Sequence, residues 1–317
     1  MYVQGTSLVK SRADAGARHA RRFSGNESPV RSAPPGDFRH DSYLPMTASP
    51  LSTARVSALN FYPVKSCRGT ALFEAVIGAR GIVGDRSFML VNGDGRFLSQ
   101  RESARMALID PRLTEEVLSL AAPGQETLSI PVRARGERRE VTVWRDRCDA
   151  VDQGDAAAEW ASDFLGVSCR LVRIADDAVR AVDRDVAVSD GDQVAFADAY
   201  PFLLTTEESL ADLNGRMSEA LPMNRFRPNV VLSGVEPFAE DGWRRIRIGE
   251  IIFAVVKPCA RCAITTTDQA TAERGKEPLQ TLATYRQVPG KGVMFGQNLI
   301  HQSTGVIRVG SPVELIE

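Results

Sequence analysis

Residues 243–256 read WRRIRIGEIIFAVV. Ile246 and Ile248 alternate with arginines as far as Gly249-Glu250, and a wholly apolar run returns from Ile251 to Val256. A period of two sends alternate side chains to a core and to solvent, and a Gly between two such runs supplies turn geometry, so the stretch reads as a β-hairpin. A second hairpin is expected in SFMLVNGDGRFLSQR, residues 87–101, around Asn92-Gly93-Asp94-Gly95. From Val56 onward, short β-rich runs of this kind alternate with turns, which predicts a mainly β (α+β) chain. Three flanking helices are expected. Asp155 caps a segment carrying Trp160, Ala161 and Phe164 that Gly166 ends. Thr205 and Glu208 stand in capping-box register ahead of Leu210, Leu213 and Met217. A third helix starts at Pro278 with Leu279, Leu282 and Tyr285. The acidic stretch 175–193, ADDAVRAVDRDVAVSDGDQ, has little periodicity and divides the ordered part into domains at 51–175 and 190–317.

The whole chain of 317 residues is 43% hydrophobic and 25% charged, enough for one large or two moderate domains. Its 39 basic and 40 acidic residues give a net charge of -1, which argues against a general nucleic-acid or membrane-surface binder. No run approaches the roughly 18 apolar residues a spanning helix needs. Five cysteines and no signal-type apolar segment after Met1 predict a cytoplasmic protein. From Met1 to Pro45 the chain is rich in Ser, Arg, Gly and Pro, so a disordered extension is expected over about residues 1–50. Met46, just ahead of the ordered pattern, is an alternative start.

Histidine occurs only at positions 19, 40 and 301, which removes most His-based catalysis and any His-rich metal site. Neither a Gly-x-Gly-x-x-Gly nor a Walker P-loop is present. The remaining chemistry lies in VVKPCARCAITTTD, residues 255–268. A structural zinc site needs four ligands, and Cys67, Cys148 and Cys169 are scattered singly. A redox dithiol belongs at a helix start, whereas β-branched residues follow here. A lone thiolate for a soft metal, with Lys257 and Arg261 beside it, is a third reading. On residues alone all three stay open. Other cations stand beside turn formers in YPVKSCRG (62–69), GDRSF (84–88) and NRFRPNVV (224–231), where side chain and backbone amide can jointly hold an anion such as an organic phosphate.

Taken in order, YPVKSCRG, GDRSF, PFLLTTEESLADLN, FRPNVV and KPCARCAITTTD resemble the MOSC-domain proteins that carry an N-terminal MOSC β-barrel domain, a group that includes the mitochondrial amidoxime-reducing components and their bacterial counterparts. KEPLQTLATYRQ, FGQN and VGSPVEL extend the likeness from Val56 to the C-terminus. The resemblance implies two β-barrel domains with flanking helices and binding of the molybdenum cofactor, a metal on a phosphorylated pterin. It implies that Cys262 is the metal ligand, that Cys259 is not, and that Lys65, Ser66, Arg86, Arg227, Asn229 and Arg261 hold the pterin and its phosphate. The implied reaction is reduction of small N-hydroxylated substrates such as amidoximes, hydroxylamines or N-hydroxylated bases, with Asp268 as a proton donor or, equally, a turn cap. A carrier of the cofactor, or of a persulfide on Cys262, is the alternative.

Three departures from the family pattern bear on this. The segment after the threonines runs TTTDQATAERGKEP without the usual Pro and Gly, Ala199 and Tyr200 replace small hydroxyl residues, and no membrane anchor or ferredoxin-type Cys run is present. A soluble form is therefore expected, fed by a separate reductase or ferredoxin-like electron donor, with no nucleic-acid or membrane partner.

Overall fold

The computed structural model describes residues 50–317, so the expected N-terminal extension lies outside the described residues. Its centre is a closed barrel of seven strands. In spatial order they are Phe202–Thr206, Val230–Ser233, Pro50–Phe61, Pro312–Leu315, Arg245–Ile248, Ile251–Arg261 and Gly292–His301, and the last pairs back onto the first through Phe202↔Leu299. Closure removes the open edges that a sheet of this size would otherwise expose. The pair Phe202–Thr206 and Val230–Ser233 is parallel, and the helix Glu207–Gly215 (α2) lies in the connection between them. The other pairings around the barrel are antiparallel.

The opening hairpin forms two staves of this barrel. Ile246 pairs with Phe253 across it, and Gly249 takes φ 59 at the turn. Ile246, Ile248, Ile251 and Phe253 point inward and are buried with Leu59, Phe202, Val230 and Leu299. The Phe202 and Phe253 rings meet edge to face at 5.3 Å. Truncating Phe253 to Ala in such a core costs about 3–5 kcal/mol. The strand Pro50–Phe61, early in sequence, is thus a stave of a barrel built otherwise from residues after 201.

Thr70–Leu72 and Gln287–Val288 extend the barrel sheet by pairing with Pro50–Phe61 and Gly292–His301, respectively. The other strands form a four-stranded sheet (Phe88–Val91, Arg170–Ile174, Asp146–Asp152, Arg138–Val143), a three-stranded sheet over residues 110–131, and a three-stranded sheet in which Glu74–Gly78 pairs with Gly305–Arg308. The helix Asp155–Leu165 (α1) buries Trp160, Ala161 and Phe164 against the first two of these. With the short helix Leu279–Ala283 (α3), three α-helices stand among the described residues of a mainly β fold, as expected.

Local capping departs from the sequence reading. Gly154 is the N-cap of α1, and Asp155 instead pairs with Arg170; Gly166 ends the helix in the left-handed conformation as predicted. The cap of α2 is Thr206, whose hydroxyl accepts from the Ser209 amide at 3.1 Å, while the Thr205 hydroxyl donates to the Met223 sulfur. The turn Asn92-Gly93-Asp94-Gly95 closes as expected, with Val91 bridged antiparallel to Phe97 and the Leu98 amide donating to the Leu90 carbonyl at 2.8 Å, but the return run forms no full strand; the other edge of Phe88–Val91 carries Arg170–Ile174.

Candidate functional site

A cavity of about 400 Å3 is lined by Lys65, Ser66, Arg86, Arg227, Asn229, Arg261 and Cys262. Residues spread over almost 200 positions meet here because the strand Pro50–Phe61, the strand Val230–Ser233 and the long strand Ile251–Arg261 belong to one barrel. Phe97, Arg101, Asp198, Tyr200, Lys257 and Cys259 also line it. A second cavity of about 500 Å3, walled by Arg80, Val83, Ile174 and Gln193, contains none of the residues expected at the site.

The cationic floor is organised by one aromatic ring. The guanidiniums of Arg86 and Arg227 each sit 4.3 Å from the centre of the Tyr62 ring. Such contacts offset part of the repulsion between two guanidiniums held near each other. The Tyr62 hydroxyl donates to the Pro228 carbonyl at 3.1 Å, and burial pushes its pKa up to about 12, so it stays a neutral donor. Gly69 runs against the same ring, where a Cβ would come within 2.3 Å of it. Arg86 is further held by Asp85 and by the Asn229 side-chain oxygen at 2.9 Å. Arg227 donates to the Cys67 carbonyl at 2.7 Å, and burial pulls its pKa down. Asn229, itself buried, donates to the Asn60 carbonyl at 3.3 Å.

Lys65 is buried against the Phe97 ring, donating to the Phe196 carbonyl at 2.8 Å and to Asp198. Burial pulls its ammonium pKa down, and the Asp198 carboxylate opposes that pull. Among the described residues, six that are not glycine have left-handed backbone, and three of them, Ser66, Arg86 and Arg227, line this cavity. Strained conformations persist where the surroundings over-determine them and cluster at working sites.

The Cys-x-x-Cys is not a closed pair. Cys259 lies within the strand Ile251–Arg261, and Cys262, just past its end, precedes a 3-10 turn over Ala263–Thr266, with its carbonyl accepting from the Thr265 hydroxyl at 2.9 Å. Between them Arg261 donates to the Cys259 sulfur at 2.9 Å and to the Phe226 carbonyl at 2.7 Å. Its Nε is buried with no partner.

Asp268 is not brought to the cavity lining. Its carboxylate accepts from the Ala270 and Thr271 amides and pairs with Arg225 at 2.7 Å, which is the turn-capping role. His301 stays on the barrel with its ring edge-on to Phe202 at 5.5 Å, away from the cavity lining. Tyr62 and Asp85 went unassigned in the sequence although both lie inside quoted motifs; Asp198 carries no local signal, since its partner Lys65 is far away in sequence.

Two family descriptions match the chain: "MOSC N-terminal beta barrel domain" over residues 53–168 and "MOSC domain" over residues 191–314. Mitochondrial amidoxime-reducing component 1 of Mus musculus is 36% identical over 278 residues, covering 82% of this chain and 82% of the relative. The Homo sapiens protein of the same name is 34% identical with the same coverage. Molybdenum cofactor sulfurase of Danio rerio is 34% identical over 292 residues, covering 83% of this chain and 34% of that longer protein. These relatives support a MOSC protein related to the molybdenum cofactor. The cytoplasmic expectation is corrected by them: the amidoxime-reducing components are named mitochondrial, which points away from the cytoplasm. That expectation rested on cysteine usage, which reports a redox setting and not a compartment. Matched by both family descriptions in order and by relatives over four fifths of its length, the chain belongs to the MOSC family, with the N-terminal MOSC β-barrel domain ahead of the MOSC domain.

Proposed function

We propose that this chain is a molybdenum-cofactor-dependent reductase of N-hydroxylated compounds, with the Cys262 thiolate as the protein ligand to the metal. The observation that carries the reading is the convergence of Cys262 with Lys65, Arg86, Arg227 and Arg261 on one cavity. The donor set fits the group. A thiolate suits a soft transition metal, and forked guanidiniums suit a phosphate. The orphaned Nε of Arg261 is a buried donor that an anionic guest would satisfy.

When bound, the cofactor supplies the two-electron redox chemistry. The chain's own residues bind and orient. Arg86 and Arg227, fixed by the Tyr62 ring, present a rigid cationic pair, and Asn229 offers amide hydrogen-bonding groups to a pterin edge. Lys65 and Asp198 form the ionisable pair of the lining and can hold a proton at the ammonium Nζ. The overall balance is an amidoxime plus two electrons and two protons giving an amidine and water. The electrons come, in this reading, from a separate donor of the reductase or ferredoxin-like kind. The test is molybdenum per chain by plasma mass spectrometry, with benzamidoxime reduction driven by reduced viologen, in wild type and Cys262→Ser. Near-stoichiometric metal and benzamidine formation in wild type, both lost in a folded variant, support the proposal; metal and activity retained in the variant overturn it.

A second reading rests on the likeness to the sulfurase: a carrier that holds the cofactor or a persulfide on Cys262 without turning over substrate. It is favoured if wild type binds molybdenum, leaves benzamidoxime intact and takes up labelled sulfur at Cys262.

A further inference from the structure

The strands Arg138–Val143 and Asp146–Asp152 are joined by a two-residue turn, Trp144-Arg145, with Val143 paired to Asp146. Trp144 occupies the first turn position with φ 59. Tight hairpins favour glycine where φ is positive, and a bulky aromatic there is a backbone outlier. Core packing does not account for it, since Trp144 is 50% exposed whereas Trp160 and Trp243 are 9% and 7% exposed.

Its contacts lead to the cavity. The indole N–H donates to Asp198 at 3.1 Å, the ring meets Phe97 edge to face at 5.1 Å, and the Arg101 guanidinium lies 4.5 Å from the ring centre. Phe97, Arg101 and Asp198 all line the cavity that holds Cys262, and Asp198 also accepts from Lys65. Trp144 does not itself line that cavity; it touches three residues that do, which puts it at the rim. A half-exposed indole clamped by a hydrogen bond, a ring edge and a guanidinium has little rotational freedom left and offers a rigid π surface.

We infer that Trp144 is a specificity-determining residue, a stacking platform at the cavity mouth that selects planar aromatic or heteroaromatic N-hydroxylated substrates over aliphatic ones. The inference rests on the reductase reading for its substrate class. A planar amidoxime or N-hydroxylated base laid on the indole surface that Arg101 leaves open gains aromatic contact. An aliphatic amidoxime gains none.

The experiment uses the molybdenum-loaded protein as wild type, Trp144→Ala and Trp144→Phe, with benzamidoxime and acetamidoxime as substrates and reduced viologen as donor. Expected is a rise in KM for benzamidoxime of about tenfold in the alanine variant, the upper range for one aromatic contact, with kcat within about twofold. Phe restores most of that loss and acetamidoxime is indifferent to all three. Equal changes for both substrates, or none for either, overturn the inference. A second readout is independent of turnover. Trp144 is the one exposed tryptophan of the three, so titration with benzamidine is expected to quench wild-type fluorescence saturably and that of Trp144→Phe hardly at all. Saturable quenching without turnover in any form sinks the reductase reading and supports the platform; no saturable quenching in wild type sinks the platform.

Discussion

Arg261 donates a hydrogen bond to the Cys259 sulfur at 2.9 Å. The first cysteine of the pair thus holds the cation that stands next to the second, and the spacing of three is explained without a shared metal or a disulfide. Removing the sulfur in Cys259→Ala leaves the guanidinium with the Phe226 carbonyl as its fixed anchor. A hydrogen bond to a charged group contributes about 1.5–3 kcal/mol. Cofactor retention through a desalting column should fall by roughly tenfold, and Cys259→Ser should recover most of it. Equal retention in all three proteins would remove Cys259 from the site.

The cluster of Arg86 and Arg227 on the Tyr62 ring makes a separate prediction. Tyr62→Ala takes away both ring contacts, each worth about 0.5–2 kcal/mol, and frees two like charges to part. Molybdenum per chain should drop severalfold. Tyr62→Phe keeps the stack, loses only the bond to Pro228, and should bind molybdenum nearly as wild type does.

Cysteine reactivity should sort by burial. Cys67 is fully buried with its pKa pushed up to about 12, and burial raises Cys148 and Cys169 as well. The thiolate is the reactive form. At pH 8, iodoacetamide mapped by mass spectrometry should label Cys259 and Cys262 in the metal-free protein and leave the other three until denaturant is added. Loading with the cofactor should protect Cys262. Early labelling of Cys67 would contradict the packing of the YPVKSCRG segment.

Asp268 should matter for stability and not for turnover. The Ala270 amide, with that of Thr271 and the Arg225 guanidinium, holds its carboxyl below the usual aspartate range. A depressed folded value means the stabilisation is present above the unfolded value near 4 and is lost as pH falls through the folded one. The Tm gap between wild type and Asp268→Asn should therefore be full at pH 6 and shrink below pH 4. Its size should correspond to about 0.5–1 kcal/mol, the scale of a partly exposed turn cap and ion pair. A kcat collapse with unchanged Tm would return Asp268 to the chemistry.

The parts of the fold legible in the sequence were those set by local pattern. Ile246 and Ile248 alternating with arginines gave the hairpin, and Gly166 gave the end of α1. One-residue errors at the caps arose because Thr205 and Thr206 are chemically alike, and only tertiary placement aims the second at the Ser209 amide. The turn after Val91 was legible too, and it closes through the Val91–Phe97 bridge, whereas the choice of Arg170–Ile174 for the other edge of Phe88–Val91 is a non-local pairing that no local pattern encodes. At the site, motif order led to seven lining residues, whereas Asp198 and Trp144 reach the cavity through contacts that no sequence spacing encodes.

The strand Pro50–Phe61 lies beside Pro312–Leu315 in the barrel, joined at Arg55↔Pro312. A ribosome adds about 5–20 residues per second, so the early stave emerges roughly tens of seconds before the neighbour that completes its pairing. Throughout that interval one edge of it has no partner within the nascent chain, and the barrel cannot shut. Such long-range closure is slow and leaves an edge open to aggregation. If this open interval limits folding, the yield of native protein from cells should rise when nascent-chain chaperones are co-expressed or growth temperature is lowered.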